Sequence, residues 1–293
     1  GETSTNGPMS NDNHANGNVF ITGYNESGGF PTLTAGTYFD GTFGGVFDII
    51  IMKFDNFGVL LWATYYGGTQ DERGLSCDTD PSGNVFVTGY TNGGGFPTLT
   101  AGTYFDGTFG GASDIFILKF SNTGVRLWAT FYGGTADEYS VSVITDNSGN
   151  VFVTGFTTSP AASFSLLNPG GGTYFDNTLG GTSDAFILKF DNAGTRLWAT
   201  YYGGGGEDIA YSLGSDPSDN GFVTGYTTSP AATFPLLNAG TFFDNTLGGG
   251  YDLFILKFSN TGTRLWATYY GGANADLLGE YDHLAVDGCG NLY

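Results

Sequence analysis

The sequence predicts an all-β fold, a β-propeller of four-stranded blades, and three observations carry that prediction. A repeat of 66 to 70 residues runs through the 293-residue chain, marked by tryptophans at 62, 128, 198 and 266 in the phrases LLWATYYGG, RLWATFYGG, RLWATYYGG and RLWATYYGG. Self-similarity at a fixed period is the signature of arrays and propellers. Glycine occurs 51 times beside 16% aromatic residues, so a large core is cut by many tight turns. The segments FDIIIMKF, SDIFILKF, SDAFILKF and YDLFILKF are almost continuously apolar, the pattern of a strand buried on both faces, as in stacked sheets.

The second unit illustrates the elements in order. Strand one runs into Asp80, DPSGN makes a turn, and Val85 to Tyr90 form strand two. Ile115 to Phe120 and Val125 to Tyr132 are strands three and four, joined by SNTG, whose Asn and Gly tolerate the positive φ of hairpin loops. Between strands two and three lies TNGGGFPTLTAGTYFDGTFGGASD, the longest irregular stretch. An ordinary blade has about 40 to 50 residues, so this surplus is expected to project from one rim of the ring. The first two units share one version of the loop; the next two carry another, beginning TTSPAA.

The units fall at approximately 10–72, 73–138, 139–208 and 209–276, with a partial fifth at 277–293, all in one domain spanning 1–293. DHLAVDGCGNLY repeats the opening of a unit. The expectation is that more protein follows Tyr293 or that another chain completes the blade.

Eight Lys and Arg against 28 Asp and Glu give a net charge of −20, which repels nucleic acid and anionic membrane surfaces and attracts divalent cations. No apolar run approaches the roughly 18 residues of a membrane span, so membrane insertion is not expected, and any export signal is expected to lie outside this sequence. Cys77 aligns with Val143 and Leu213 on an apolar strand face and reads as a small buried hydrophobe; Cys289 falls in a turn.

The best candidates for chemistry are the acidic pairs after strand four: Asp71 and Glu72, Asp137 and Glu138, Glu207 and Asp208. Carboxylates on Gly-rich turns can ligate Ca2+, or they can cap the turn into the next blade by accepting backbone N–H groups. Asp48, Asp114, Asp184 and Asp252 precede strand three and are expected to make a fixed backbone contact. Asp80, Asp146 and Asp216 read as turn formers. His14 and His283 have no partner at metal-ligand spacing, so zinc is not expected. No Ser or Thr has a His partner in a nucleophile pattern. A carboxylate pair for glycoside hydrolysis stays open, since its separation is three-dimensional.

The four tryptophans are expected in the interblade core. In the long loop, Phe96, Tyr104, Phe164 and Tyr174 are candidates for glycan contact, with packing of the loop onto the blade as the alternative. Asn25 lies in the N-glycosylation sequon NES.

The run GGTADEYSVSVITDNSGNVFVTGFTTS from Gly133, with the hairpin DAFILKFDNAGTRLWATYYGG from Asp184, resembles the bacterial seven-bladed β-propeller repeat family, and the likeness covers nearly the whole chain. The resemblance implies a propeller within large secreted or surface proteins, and it brings no catalytic residues. The expected function is a non-enzymatic extracellular or cell-surface scaffold, structural or adhesive, possessing protein partners or copies of itself, as in a surface filament. The alternatives are a glycan-binding propeller and a polysaccharide-degrading enzyme. No cofactor is required on this reading, and Ca2+ at the acidic turns is the one candidate ligand.

Overall fold

The computed structural model describes all residues except 1–6, 35, 37, 101, 103, 241 and 278–283. Asp282 and His283 therefore lie outside the described residues. Among the described residues sixteen strands form four antiparallel sheets, each with its strands in chain order. The first contains β1 (Gly7–Asn13), β2 (Val19–Asn25), β3 (Asp48–Phe54) and β4 (Leu60–Tyr66); the second β5 (Glu72–Thr79), β6 (Val85–Thr91), β7 (Asp114–Phe120) and β8 (Arg126–Tyr132). The third contains β9 (Glu138–Thr145), β10 (Val151–Thr157), β11 (Asp184–Phe190) and β12 (Arg196–Tyr202); the fourth β13 (Asp208–Ser215), β14 (Gly221–Thr227), β15 (Asp252–Phe258) and β16 (Arg264–Tyr270).

Each sheet packs on the next, the inner strands β1, β5, β9 and β13 lying in succession. This is the arrangement of propeller blades, and three apolar cores fill the three junctions. The expected role of the tryptophans holds at these junctions: Trp62, Trp128 and Trp198 are buried, and Trp62 stacks on Phe120 of the following blade at 6.1 Å. Strands β7 and β11 are buried throughout, as their apolar runs require. Cys77 is buried, and its burial pushes the thiol up to about 12, consistent with a packing role.

The long loop does not project from a rim. It folds back along strand four: Leu99 and Ala129 exchange backbone bonds of 2.8 and 2.9 Å, as do Leu33 with Ala63, Leu167 with Ala199 and Leu237 with Ala267. Strand four is the outer edge of each sheet, so this contact satisfies polar groups that would otherwise template aggregation. The loop also carries apolar rings that gain by burial.

A buried lysine ties the blades together. Lys119 in β7 contacts Asp80 at 3.1 Å, Lys189 in β11 contacts Asp146 at 2.9 Å, and Lys257 in β15 contacts Asp216 at 2.6 Å. Each Asp also holds its own turn, as expected; Asp80 Oδ1 accepts the Ser82 and Asn84 N–H groups at 2.9 Å. An Asn from the next blade's hairpin completes the set. The Lys119 ammonium donates to the carbonyl and side-chain oxygens of Asn192, whose Nδ2 donates to Asp80 at 3.0 Å. In the first unit His14 stands where Asp80, Asp146 and Asp216 stand. Lys53 there donates to Asn122 from the next blade, and burial lowers its pKa.

Removing one member of a buried ion pair strands the other charge, at a cost of about 3 to 5 kcal/mol. Asp146→Ala should therefore cost about that much and strip amide protection from β11 and the β15–β16 turn in hydrogen exchange. His14→Asp supplies Lys53 with a carboxylate and should raise the denaturation midpoint of the first junction; an unchanged or lower midpoint would refute the assignment.

Candidate functional site

Strand one of each later blade carries a β-bulge, and the bulge helps build a cleft. In the second sheet Thr88 pairs with Ser76 and Gly89 with Gly74, leaving Leu75 as the extra residue; Val141 and Tyr211 are its counterparts in the third and fourth. A bulge bends its strand and re-aims side chains. The bent backbone comes so close to strand two that a Cβ on Gly89 would lie 1.9 Å from the Arg73 carbonyl oxygen, with Gly155 and Gly225 equally constrained. This is the physical reason for the recurring VTG phrase.

Leu75, Val141 and Tyr211 turn toward a cleft of about 440 Å³ on the inner side of the blades. The other walls are Arg73, Tyr139 and Ile209 from strand one, and Tyr24, Tyr90, Phe156 and Tyr226 from the ends of the four second strands. The rings interlock: Tyr139 meets Tyr90 edge-on at 4.8 Å and stacks on Phe156 at 5.2 Å, and Tyr211 lies 5.7 Å from Tyr226. Arg73 is held by two bonds to Asp71, of 2.9 and 3.1 Å, with its guanidinium over Tyr24 at 4.8 Å and Phe47 at 4.2 Å. Its charge is thus neutralised and shared with two ring faces.

Burial pushes the phenols of Tyr90 and Tyr226 up, helped by the charges of Asp71 and of Tyr211 and Glu207 respectively. They stay protonated at neutral pH. The walls therefore offer aromatic faces, hydroxyls and a guanidinium clamped by Asp71.

The second member of each acidic pair adopts the turn-capping arrangement. Glu72 accepts the Gly68 N–H at 3.1 Å and the Thr91 hydroxyl at 3.2 Å. Glu138 accepts the Gly134 N–H at 2.7 Å, and Asp208 the Gly204 N–H at 2.7 Å. Asp71, Asp137 and Glu207 each directly precede these residues, and neighbours along extended backbone point to opposite sides. The two members of a pair thus diverge instead of converging on one Ca2+, and no cluster of three or more His, Cys, Asp or Glu suited to a metal occurs among the described residues.

Each inner carboxylate faces the Asp that opens strand three. A Cβ on Gly203 would lie 2.8 Å from both Asp184 Oδ1 and Asp208 Oδ2. Asp184 makes the expected backbone contact, accepting the Gly180 N–H at 3.0 Å; Asp48, Asp114 and Asp252 do the same with Gly44, Gly110 and Gly248. Burial raises Glu72 to about 7, against the opposing pull of the Gly68 and Thr91 bonds, and raises Asp184 to about 7 and Asp114 to about 6 against their backbone bonds.

The loop residues expected to contact glycans are used inside the protein. Phe96 is 6% and Phe164 1% exposed, the first stacked on Phe116 at 5.1 Å and the second on Tyr201 at 5.4 Å. Neither offers a free ring face. Tyr104 lies against Tyr132 at 5.0 Å and under Arg196 at 4.7 Å; Tyr174 lies against Tyr202 at 5.2 Å and under Arg264 at 4.7 Å. Asn25 is 1% exposed, its side-chain oxygen accepting the Ser27 N–H at 3.1 Å. A sequon asparagine so buried gives a glycan no place in the folded blade.

The cleft was not among the sequence-predicted sites. Its signal was the aromatic that closes each VTG phrase, together with the varied strand-one position occupied by Arg73, Tyr139 and Ile209.

No family model matches the chain. It is 26% identical over 308 aligned residues to an uncharacterized WD repeat-containing protein of Acanthamoeba polyphaga mimivirus, an alignment covering 86% of this chain and 21% of that protein. The chain thus spans about a fifth of the length of this relative. A solved structure of a protein of unknown function from Bacteroides caccae aligns with 92% of this chain and 83% of its own, at 10% identity and a TM-score of 0.35.

The raised carboxyls set the sign of one pH effect. An unfolded Asp or Glu titrates near about 4, so between about pH 4 and 7 the folded chain holds more protons and stability falls as pH rises. The melting temperature should therefore climb by several degrees from pH 7.5 to 5. It should decline again below about pH 4, because Asp216, held at about 2 by Lys257 and Asn220 despite burial, then loses its advantage. Glu72→Gln should flatten part of the rise between pH 5 and 7; an unaltered slope would count against the assignment. Since the acidic pairs diverge, adding EDTA should leave the melting temperature unchanged, and a drop that calcium restores would return these residues to the ligand role.

Proposed function

We propose that this chain is a non-enzymatic β-propeller scaffold acting outside the cell or at its surface, in adhesion or as a building block of a surface assembly, and that the inner aromatic cleft is its recognition site. The observation that carries the reading is how the ionisable groups are used. The sequence-predicted acids of strand one and strand three cap turns, those after strand one hold buried lysines, and the cleft walls present rings and hydroxyls. Such a surface recognises a partner by shape and contact. The WD-repeat relative supports a scaffold of this kind. The net charge of −20 supports a soluble, exposed setting and partners that are neutral or basic.

A second reading, binding of a neutral glycan, is favoured by one specific feature. Tyr139 and Tyr211 line the same cleft, and aromatic faces beside hydroxyl groups suit the apolar face of a sugar ring. The full chain should be screened against glycan and peptide arrays beside Tyr139→Ala and Tyr211→Ala variants. A ligand lost by at least tenfold in both variants, with melting unchanged, supports the cleft as the recognition site. Its chemistry decides between protein and glycan. Release of products from a polysaccharide panel would overturn the non-enzymatic reading.

A further inference from the structure

Three junctions repeat one set of contacts, and the fourth sheet presents the same set without its other half. At the first junction Arg126 of the second blade lies over Tyr38 at 4.8 Å and donates to the Tyr66 hydroxyl at 3.1 Å. Arg196 repeats this over Tyr104 with Tyr132 at 3.3 Å, and Arg264 lies over Tyr174 and donates to the Pro235 carbonyl at 2.6 Å. Four residues before each arginine an asparagine, Asn122, Asn192 or Asn260, gives its carbonyl and side-chain oxygens to the buried lysine of the preceding blade.

In the fourth sheet the equivalent aromatic pair is Phe242 and Tyr270, 5.7 Å apart. Tyr270 is 57% exposed where Tyr66, Tyr132 and Tyr202 are 0%, and Phe242 is 58% exposed. The Lys257 side chain is 18% exposed, against 2% for Lys119 and 0% for Lys189. Strand β15 alternates between buried and half-buried residues where β7 and β11 are buried throughout. Phe242 and Tyr270 border a cleft of about 380 Å³ that also contains Asp244 and Asp276, an environment complementary to a cation.

We infer that this face of the fourth sheet docks a further blade presenting an Asn-x-Gly-x-Arg hairpin, with the arginine entering beside Phe242 and Tyr270. The occupant is identified by continuity with the existing interfaces. The Leu284 N–H donates to the Ser212 hydroxyl at 2.8 Å, just as Cys77, Val143 and Leu213 donate to Ser10, Ser76 and Ser142 at 3.1 to 3.2 Å. The turn from Asp287 to Asn291 has the same bonds as the turn at Asp80. Residues 284–286 are thus already seated on β13 as the end of strand one is seated at the three junctions. A second copy docking through its own first blade does not fit this chemistry. Its hairpin reads Asn56-Phe57-Gly58-Val59-Leu60, with leucine in place of arginine. The inference stands apart from the proposed recognition cleft, which lies on the inner strands.

Tyr293 occupies the position of Phe86 in the repeat, so adding the chain's own residues 87–132 after Tyr293 completes a fifth blade with the required hairpin. Hydrogen exchange of this extended protein should show at least tenfold greater protection of β15 and β16 than in the 293-residue chain, with Tyr270 losing its reactivity toward iodination. Placing leucine at the added copy of Arg126 should reduce the gain by about tenfold. An unprotected added segment, or equal protection with leucine, overturns the inference. Sedimentation of the 293-residue chain supplies the other arm: it should stay monomeric. Association that Tyr270→Ala abolishes would assign the face to a second copy instead.

Discussion

The interaction on which the architecture depends is the buried set of Lys, Asp and Asn between consecutive blades. Lys189 and Asp146 have side chains with 0% exposure, a placement tolerable only because the charges meet each other and an Asn supplies the remaining acceptors. Three elements are fixed at once: the turn after strand one through the Asp, strand three through the Lys, and the next blade's hairpin through the Asn. Apolar stacking such as that of Trp62 on Phe120 provides most of the driving force, but it is not directional. The polar set supplies the register, since a slip of one residue would leave a lysine buried without an acceptor.

This constraint also shapes what the acidic residues can do. A chain of net charge −20 invites a search for ions, yet many of its acids are committed to backbone. Asp48, Asp114, Asp184 and Asp252 tie the long loop to strand three, while Glu72, Glu138 and Asp208 tie strand one to the turn before it. The two sets face one another closely enough that only glycine fits at Gly203. Burial then favours the protonated forms of Asp48, Asp114, Asp184, Glu72, Glu138 and Asp208.

Much of the fold was legible in the sequence because the repeat shows each element four times. Strand limits agree within about two residues, and the tryptophans, Cys77 and the turn-forming Asp80 behave as their patterns imply. Two kinds of feature were hidden. The lysine of ILKF breaks an apolar run and, being buried, demanded a carboxylate; its partner is 39 positions away at Asp80, a distance that no local pattern spans. The loop rings Phe96 and Phe164 sit among Gly, Ser and Thr, so composition places them outside, whereas the fold-back along strand four carries them into the core.

The contrast between constant and varied positions separates the residues that join the blades from those that line the cleft. The polar set recurs wherever two blades meet, with His14 its one departure, as expected of residues serving the fold itself. The inner position of strand one instead runs through Arg73, Tyr139 and Ile209, and its neighbour before strand three is Phe47 beside Arg73 but serine, Ser113 and Ser183, beside Tyr139 and Ile209. The exchange is compensated in space. Phe47 lies under the guanidinium, and the Ser113 hydroxyl reaches the Tyr139 phenol at 3.3 Å. Packing alone would accept the same pair at every junction, as it accepts the same tryptophan. The strand-one position that lines the cleft thus differs from blade to blade while the framework that joins the blades is largely repeated.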